Sequence, residues 1–146
     1  MTLSDDFPWV KERAECSLSK VFETLRQQVK GDMDARQAMR SPMFPGNQTP
    51  QWSYGFSFHE TSDSFMVTLR GINELEECVV FARSERSILI KNTERKVVLE
   101  ATPSLDANCN CVLLIDKEER PFWYVRKLAL EHLFFSFPLL NGLRGE

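Results

Sequence analysis

The sequence predicts a mainly β fold, an antiparallel β-sandwich preceded by an amphipathic N-terminal helix. Three observations carry that prediction. In residues 51–72, QWSYGFSFHETSDSFMVTLRGI, Trp52, Tyr54, Phe56 and Phe58 fall on every second position. A strand has a side-chain period of two, so these aromatics share one face. After the polar Thr61-Ser62-Asp63-Ser64, Phe65, Val67 and Leu69 alternate with Met66, Thr68 and Arg70, and the two runs read as a β-hairpin. Short apolar runs then recur at intervals of about eight to twelve residues, the rhythm of a sandwich or barrel. Upstream, Val10, Ala14, Leu18, Val21, Leu25 and Val29 recur at helical steps.

The elements follow in order. Residues 10–29 form the helix, with Asp5 or Asp6 as the cap and Gly31 as the stop. Such a helix either packs on the domain it precedes or acts as an arm for oligomerisation or a partner. Residues 1–31 are therefore read as a helical arm. Residues 32–50 mix Met33, Met39 and Met43 with Pro42, Pro45, Gly46 and Pro50 and read as a linker, because proline cannot donate to a helix or sheet ladder. Residues 51–146 form the β domain. Beyond the hairpin, strands are predicted at 78–82, 87–91, 97–99, 111–115, 122–125 and 133–139. Residues 102–108 read as a loop and 116–120 as a charged turn. Residues 127–132 fit a helix as well as a strand.

Composition narrows the function classes. The chain has 146 residues, 42% hydrophobic and 27% charged, enough for one folded domain and too few for two. A net charge of -3 does not suit a nucleic acid or an anionic membrane as partner. No apolar run reaches the roughly 18 residues that a membrane helix needs. The start, MTLSDDFPWVKE, has acids where a signal peptide has bases, so the expected location is cytoplasmic. Reduced thiols are then the default for Cys16, Cys78, Cys109 and Cys111. Cys109-Asn110-Cys111 lacks the second pair or nearby histidines that zinc requires, so no metal or cofactor is expected.

No phosphate loop, Gly-x-Ser-x-Gly or His-Glu-x-x-His motif is present, and no catalytic residue is assigned. The acid pairs Glu76-Glu77 and Glu118-Glu119 read as solvated turn charges. Arg83, Arg86, Lys91, Arg95 and Lys96 form a basic cluster interrupted by Glu85 and Glu94, and read as a solvated face.

From residue 51 onward the chain resembles the alpha-crystallin domain of small heat-shock proteins. The resemblance rests on Glu60 and Asp63 before the alternating Phe65-to-Leu69 run, then Gly71, the acidic step at Leu75 to Glu77, and Val79 to Phe81. Leu89-Ile90 running into Glu94-Arg95, and the ending FFSFPLLNGL at 134–143, complete it. Arg70 stands where the family usually has proline, and the segment between Arg95 and Phe134 is longer than the family's loop. The resemblance implies an alpha-crystallin-like sandwich and a stress-response chaperone that holds partly unfolded clients without ATP, as a homodimer or larger homo-oligomer.

Candidate partner contacts are Val10, Leu18 and Leu25 on the helix stripe, Met43 and Phe44 in the linker, and Trp52 and Tyr54 of the aromatic row. An exposed strand edge could also take up a partner strand. Two alternatives stand beside the chaperone. One is a dedicated adaptor or complex subunit with one protein partner. The other is a small-ligand-binding β-barrel with the aromatic row as its pocket wall, against which the row reads as ordinary core.

Overall fold

The structure is a computed structural model, and it describes residues 5–39, 55–70 and 76–136. A single sheet of seven antiparallel strands frames it, and spatial order equals chain order. The strands are β1 (Gly55–Glu60), β2 (Ser64–Arg70), β3 (Glu76–Arg83), β4 (Ile88–Lys91), β5 (Val97–Leu105), β6 (Cys111–Ile115) and β7 (Glu118–Arg120). Helices α1 (Trp9–Glu15) and α2 (Leu18–Gln37) precede the sheet, and α3 (Phe122–Phe135) follows it. The antiparallel β-sheet is as predicted. Its covering layer is helical, and the described strands form one sheet where a sandwich needs two.

The difference arises at 122–135. Phe122-Trp123-Tyr124-Val125 has strand-forming side chains and was expected as a strand, as was the stretch from 133. The segment is helical, and its inward positions are Phe122, Val125, Ala129, Leu130, Leu133 and Phe134. These recur at steps of one, three and four residues, which is one face of a helix. Packing overrides the local propensity, and it removes the strands that a second sheet would use.

The N-terminal helix breaks and then outruns its predicted end. Ser17 is extended, and its Oγ accepts from the Lys20 N–H at 3.4 Å, so α2 starts afresh there with a side-chain cap. Alpha 1 buries no residue, whereas α2 buries Val21, Phe22, Leu25, Val29, Met33 and Arg36. The α2 stripe belongs to the same core as the sheet, which is the packed alternative for this helix. The helix passes through Gly31, the predicted stop, and takes in residues assigned to the linker. A Cβ built at Gly31 meets nothing within 4 Å. Gly31→Ala is therefore expected to stabilise the fold by about 0.5–1 kcal/mol, by removing glycine's backbone freedom in the unfolded chain. Thermal unfolding checks this; an unchanged or lowered midpoint contradicts it.

The sheet buries one face. In β2, Phe65, Val67 and Leu69 point inward and alternate with half-buried Met66 and Thr68. Phe65 pairs in register with Phe81 of β3, and their rings stack 4.8 Å apart. Phe22 of α2 lies 5.0 Å from Phe65 on the same side. Phe56 and Phe58 of β1 also face this interior, Phe56 against Phe134 and Phe58 against Phe65. The aromatic row, where it is described, is core. Trp52 and Tyr54 lie outside the described residues.

Beta 5 extends through Thr102–Leu105, where a loop was expected, because those residues pair with β6. Asp116 and Lys117 both have positive φ, the two-residue turn that joins β6 tightly to β7.

Long-range ties join the N-terminal helices to the far end of the chain. Arg126 of α3 donates to Asp32 Oδ2 at 2.6 Å and to Gln28 Oε1 at 2.9 Å on α2. Cys16, at the α1–α2 junction, forms a disulfide with Cys111 of β6. This corrects the expectation of four reduced thiols; Cys78 and Cys109 are free.

Candidate functional site

A groove runs between the C-terminal half of α2 and α3, with a volume of about 410 Å³. Helical spacing builds both walls. Asp32, Arg36 and Met39 follow one another along one face of α2 and its end. Trp123, Lys127, Leu130 and Phe134 do the same along α3, and Phe135 closes the end. Trp123, Met39 and Phe135 are 57%, 61% and 64% exposed. Large apolar side chains scattered singly over a surface need no explanation, but these gather around one concavity.

The groove's charges are unevenly paired. Arg126 and Lys127 have carboxylate partners in Asp32 and Glu131. Arg36 is only 4% exposed and has no carboxylate partner among the described residues. Its Nε donates to the Phe134 carbonyl at 2.7 Å. That carbonyl lies in the last turn of α3 and has no helical donor among the described residues, so Arg36 caps α3 and sits in the negative end of its dipole. The Arg36 Cζ lies 5.0 Å from the Phe135 ring centre and 6.0 Å from that of Phe56, within cation–π range. Burial pushes the Arg36 guanidinium below its ordinary pKa. An arginine in a protein nonetheless stays charged.

The free sheet edge offers less than the sequence suggests. At β1, the Gln37 side-chain amide donates to the Phe56 carbonyl at 3.1 Å and accepts from the Phe56 N–H at 3.0 Å. One side chain thus occupies one pair of the groups that an added strand would use. Arg26 further ties Glu60, Ser62 and Ser64 to α2. The opposite edge, β7, is three residues long and charged, a common way of blunting an edge.

The predicted contacts scatter. Val10 is exposed on α1, Leu18 is half-buried against the core, and Leu25 is fully buried and closed to any partner in this conformation. Met43, Phe44, Trp52 and Tyr54 lie outside the described residues. None of the described ones lines the groove. Arg36, Met39, Trp123 and Phe135 were missed, although reading 122–135 at helical spacing brings Trp123 and Lys127 onto one face.

Ser57 Oγ and His59 Nε2 lie 3.2 Å apart on an exposed strand face. No carboxylate among the described residues bonds His59, so the pair lacks the orienting acid of a nucleophile–base–acid set. Among the described residues, no three or more His, Cys, Asp or Glu are grouped to hold a metal ion. No described helix is long and apolar enough to cross a membrane. No family model, no curated protein and no solved structure matches this chain, so the likeness to the alpha-crystallin domain rests on the sequence pattern alone.

Proposed function

We propose that this protein is a non-enzymatic binding module, an adaptor or complex subunit that holds an apolar segment of a protein partner in the α2–α3 groove. The gathering of Trp123, Met39 and Phe135 around one concavity carries this reading. Aromatic side chains beside a pocket are the usual anchors of protein interfaces. The occupation of the β1 edge at Phe56 by Gln37 favours a helical docking surface over strand addition.

The test is capture from a native extract, with bound proteins quantified by mass spectrometry. A discrete partner is expected on the wild-type protein. Trp123→Asp should weaken its capture about thirtyfold, as losing a central interface aromatic costs on the order of 2 kcal/mol or more. Val10→Asp, remote from the groove lining, should not. Equal capture by wild type and Trp123→Asp would sink the proposal.

General holdase activity, which the family likeness implies, is the second reading. The exposed Trp9 and Val10 on α1 favour it, since they offer apolar surface away from the groove. It requires polydisperse homo-oligomers and slowed precipitation of a heated client; a monomer or tight dimer without that effect leaves the adaptor. For location, the disulfide supports an oxidising compartment over the cytoplasm, where thiols are kept reduced.

A further inference from the structure

Resting on the groove as a protein-docking surface, we infer that the segment it takes carries an acidic side chain between large apolar ones, and that Arg36 is the residue that reads it. The starting point is a charge on a residue only 4% exposed, whose hydrogen bonding to described residues runs through Nε alone. Removing an ion from water costs several kcal/mol unless partners replace its hydration. The end of α3 supplies one carbonyl and at most about half a charge. The Phe56 and Phe135 rings engage the guanidinium without using its N–H groups. Neither Nη atom has an acceptor among the described residues, and Arg36 lines the groove.

Charge counting then selects the ligand. Of the three cations among the groove's described lining residues, Arg126 and Lys127 are already matched by Asp32 and Glu131. One unmatched positive charge suits one carboxylate. A phosphate would bring a second negative charge with no free cation among the described lining residues to meet it. Two parallel N–H···O bonds from a guanidinium edge to a carboxylate are the strongest neutralisation available to it. The remaining surface, Met39, Trp123, Leu130 and Phe135, is apolar, so the carboxylate must arrive flanked by apolar groups. A groove between two helices is open along its length, which lets a chain pass over it and lower side chains into it. An Asp or Glu side chain reaches a buried cation from such a path without burying a chain terminus.

The experiment is a selection of random 16-residue peptides, displayed with both ends fused so that no free terminal carboxylate is present, against the full-length protein. Selections against wild type should enrich Asp or Glu flanked by Trp, Phe or Leu. For the best peptide, replacing its acid by the amide should weaken binding to wild type at least tenfold. Arg36→Met should bind the acid and amide peptides alike. If that variant does not fold by circular dichroism, Arg36→Lys substitutes for it. Lysine keeps the charge and loses the fork, and should shrink the acid preference. Equal wild-type affinity for acid and amide peptides overturns this inference and leaves the groove reading intact. Selected peptides that bind Trp123→Asp as tightly as wild type overturn the groove reading as well. So does a selection that enriches nothing.

Discussion

Removing the Cys16–Cys111 disulfide, by reductant or by the C16S/C111S double substitution, is expected to cost about 4–5 kcal/mol of stability. The bond closes a loop with a sequence separation of 95, long enough for the chain-entropy effect to approach its upper range. Folded domains hold only about 5–15 kcal/mol in total, so this one bond accounts for about a third or more of the stability. The bond fastens the α1–α2 junction to β6, and the sheet pairings do not duplicate that tie. Urea titration with and without reductant measures the loss, and thiol counting in the unfolded protein should find two free thiols, Cys78 and Cys109. Four free thiols in freshly isolated protein, or a stability change below about 1 kcal/mol, would contradict the expectation. Cys109 lies two residues from Cys111, so peptide mapping should accompany the count to confirm which sulfur pairs with Cys16.

Phe65→Ala should be comparably damaging. Phe65 is fully buried and contacts the rings of Phe22, Phe58 and Phe81 from three different elements. Truncating such a residue costs about 3–5 kcal/mol through lost burial and the cavity that remains. Alanine leaves α2 resting on an empty site on the inner face of β2. Phe65→Leu keeps most of the volume and should cost less than half as much. Denaturant unfolding of the two variants gives the ranking; equal midpoints for Phe65→Ala and wild type would mean that this cluster is not the core.

The hairpin, β3, β4, the start of β5, β6 and the α2 stripe could be read from sequence as short apolar or periodic windows, whereas β7 could not, because Glu118 and Glu119 read as turn charges. Phe65, Val67 and Leu69 show it plainly, being buried in strict alternation. Alpha 3 could not, because Phe, Trp, Tyr and Val favour strands and the helical repeat of Phe122, Val125, Ala129 and Leu133 is partly hidden among other apolar residues. The groove failed with it. It exists only when α2 continues through Gly31 to place Arg36 and when 122–135 is helical to place Trp123. The disulfide left no local trace: Cys16 and Cys111 are far apart in the chain, and the eye is drawn instead to Cys109 and Cys111.

The strictly sequential order of the strands has a consequence for how the molecule is made. Each strand pairs with the one just before it, so the sheet can grow hairpin by hairpin with short loop closures, which is a fast route. The ties at the periphery behave differently. Arg36 waits for Phe134, 98 residues later, and Gln28 waits for Arg126, also 98 residues later. During synthesis α2 leaves the ribosome before the strands and its apolar stripe meets them as they emerge, but its C-terminal half gains its helical neighbour α3 last. Until α3 arrives, a nascent chain carries a nearly finished sheet beside an open seam, and that interval is when proteases and aggregation have their best access to it.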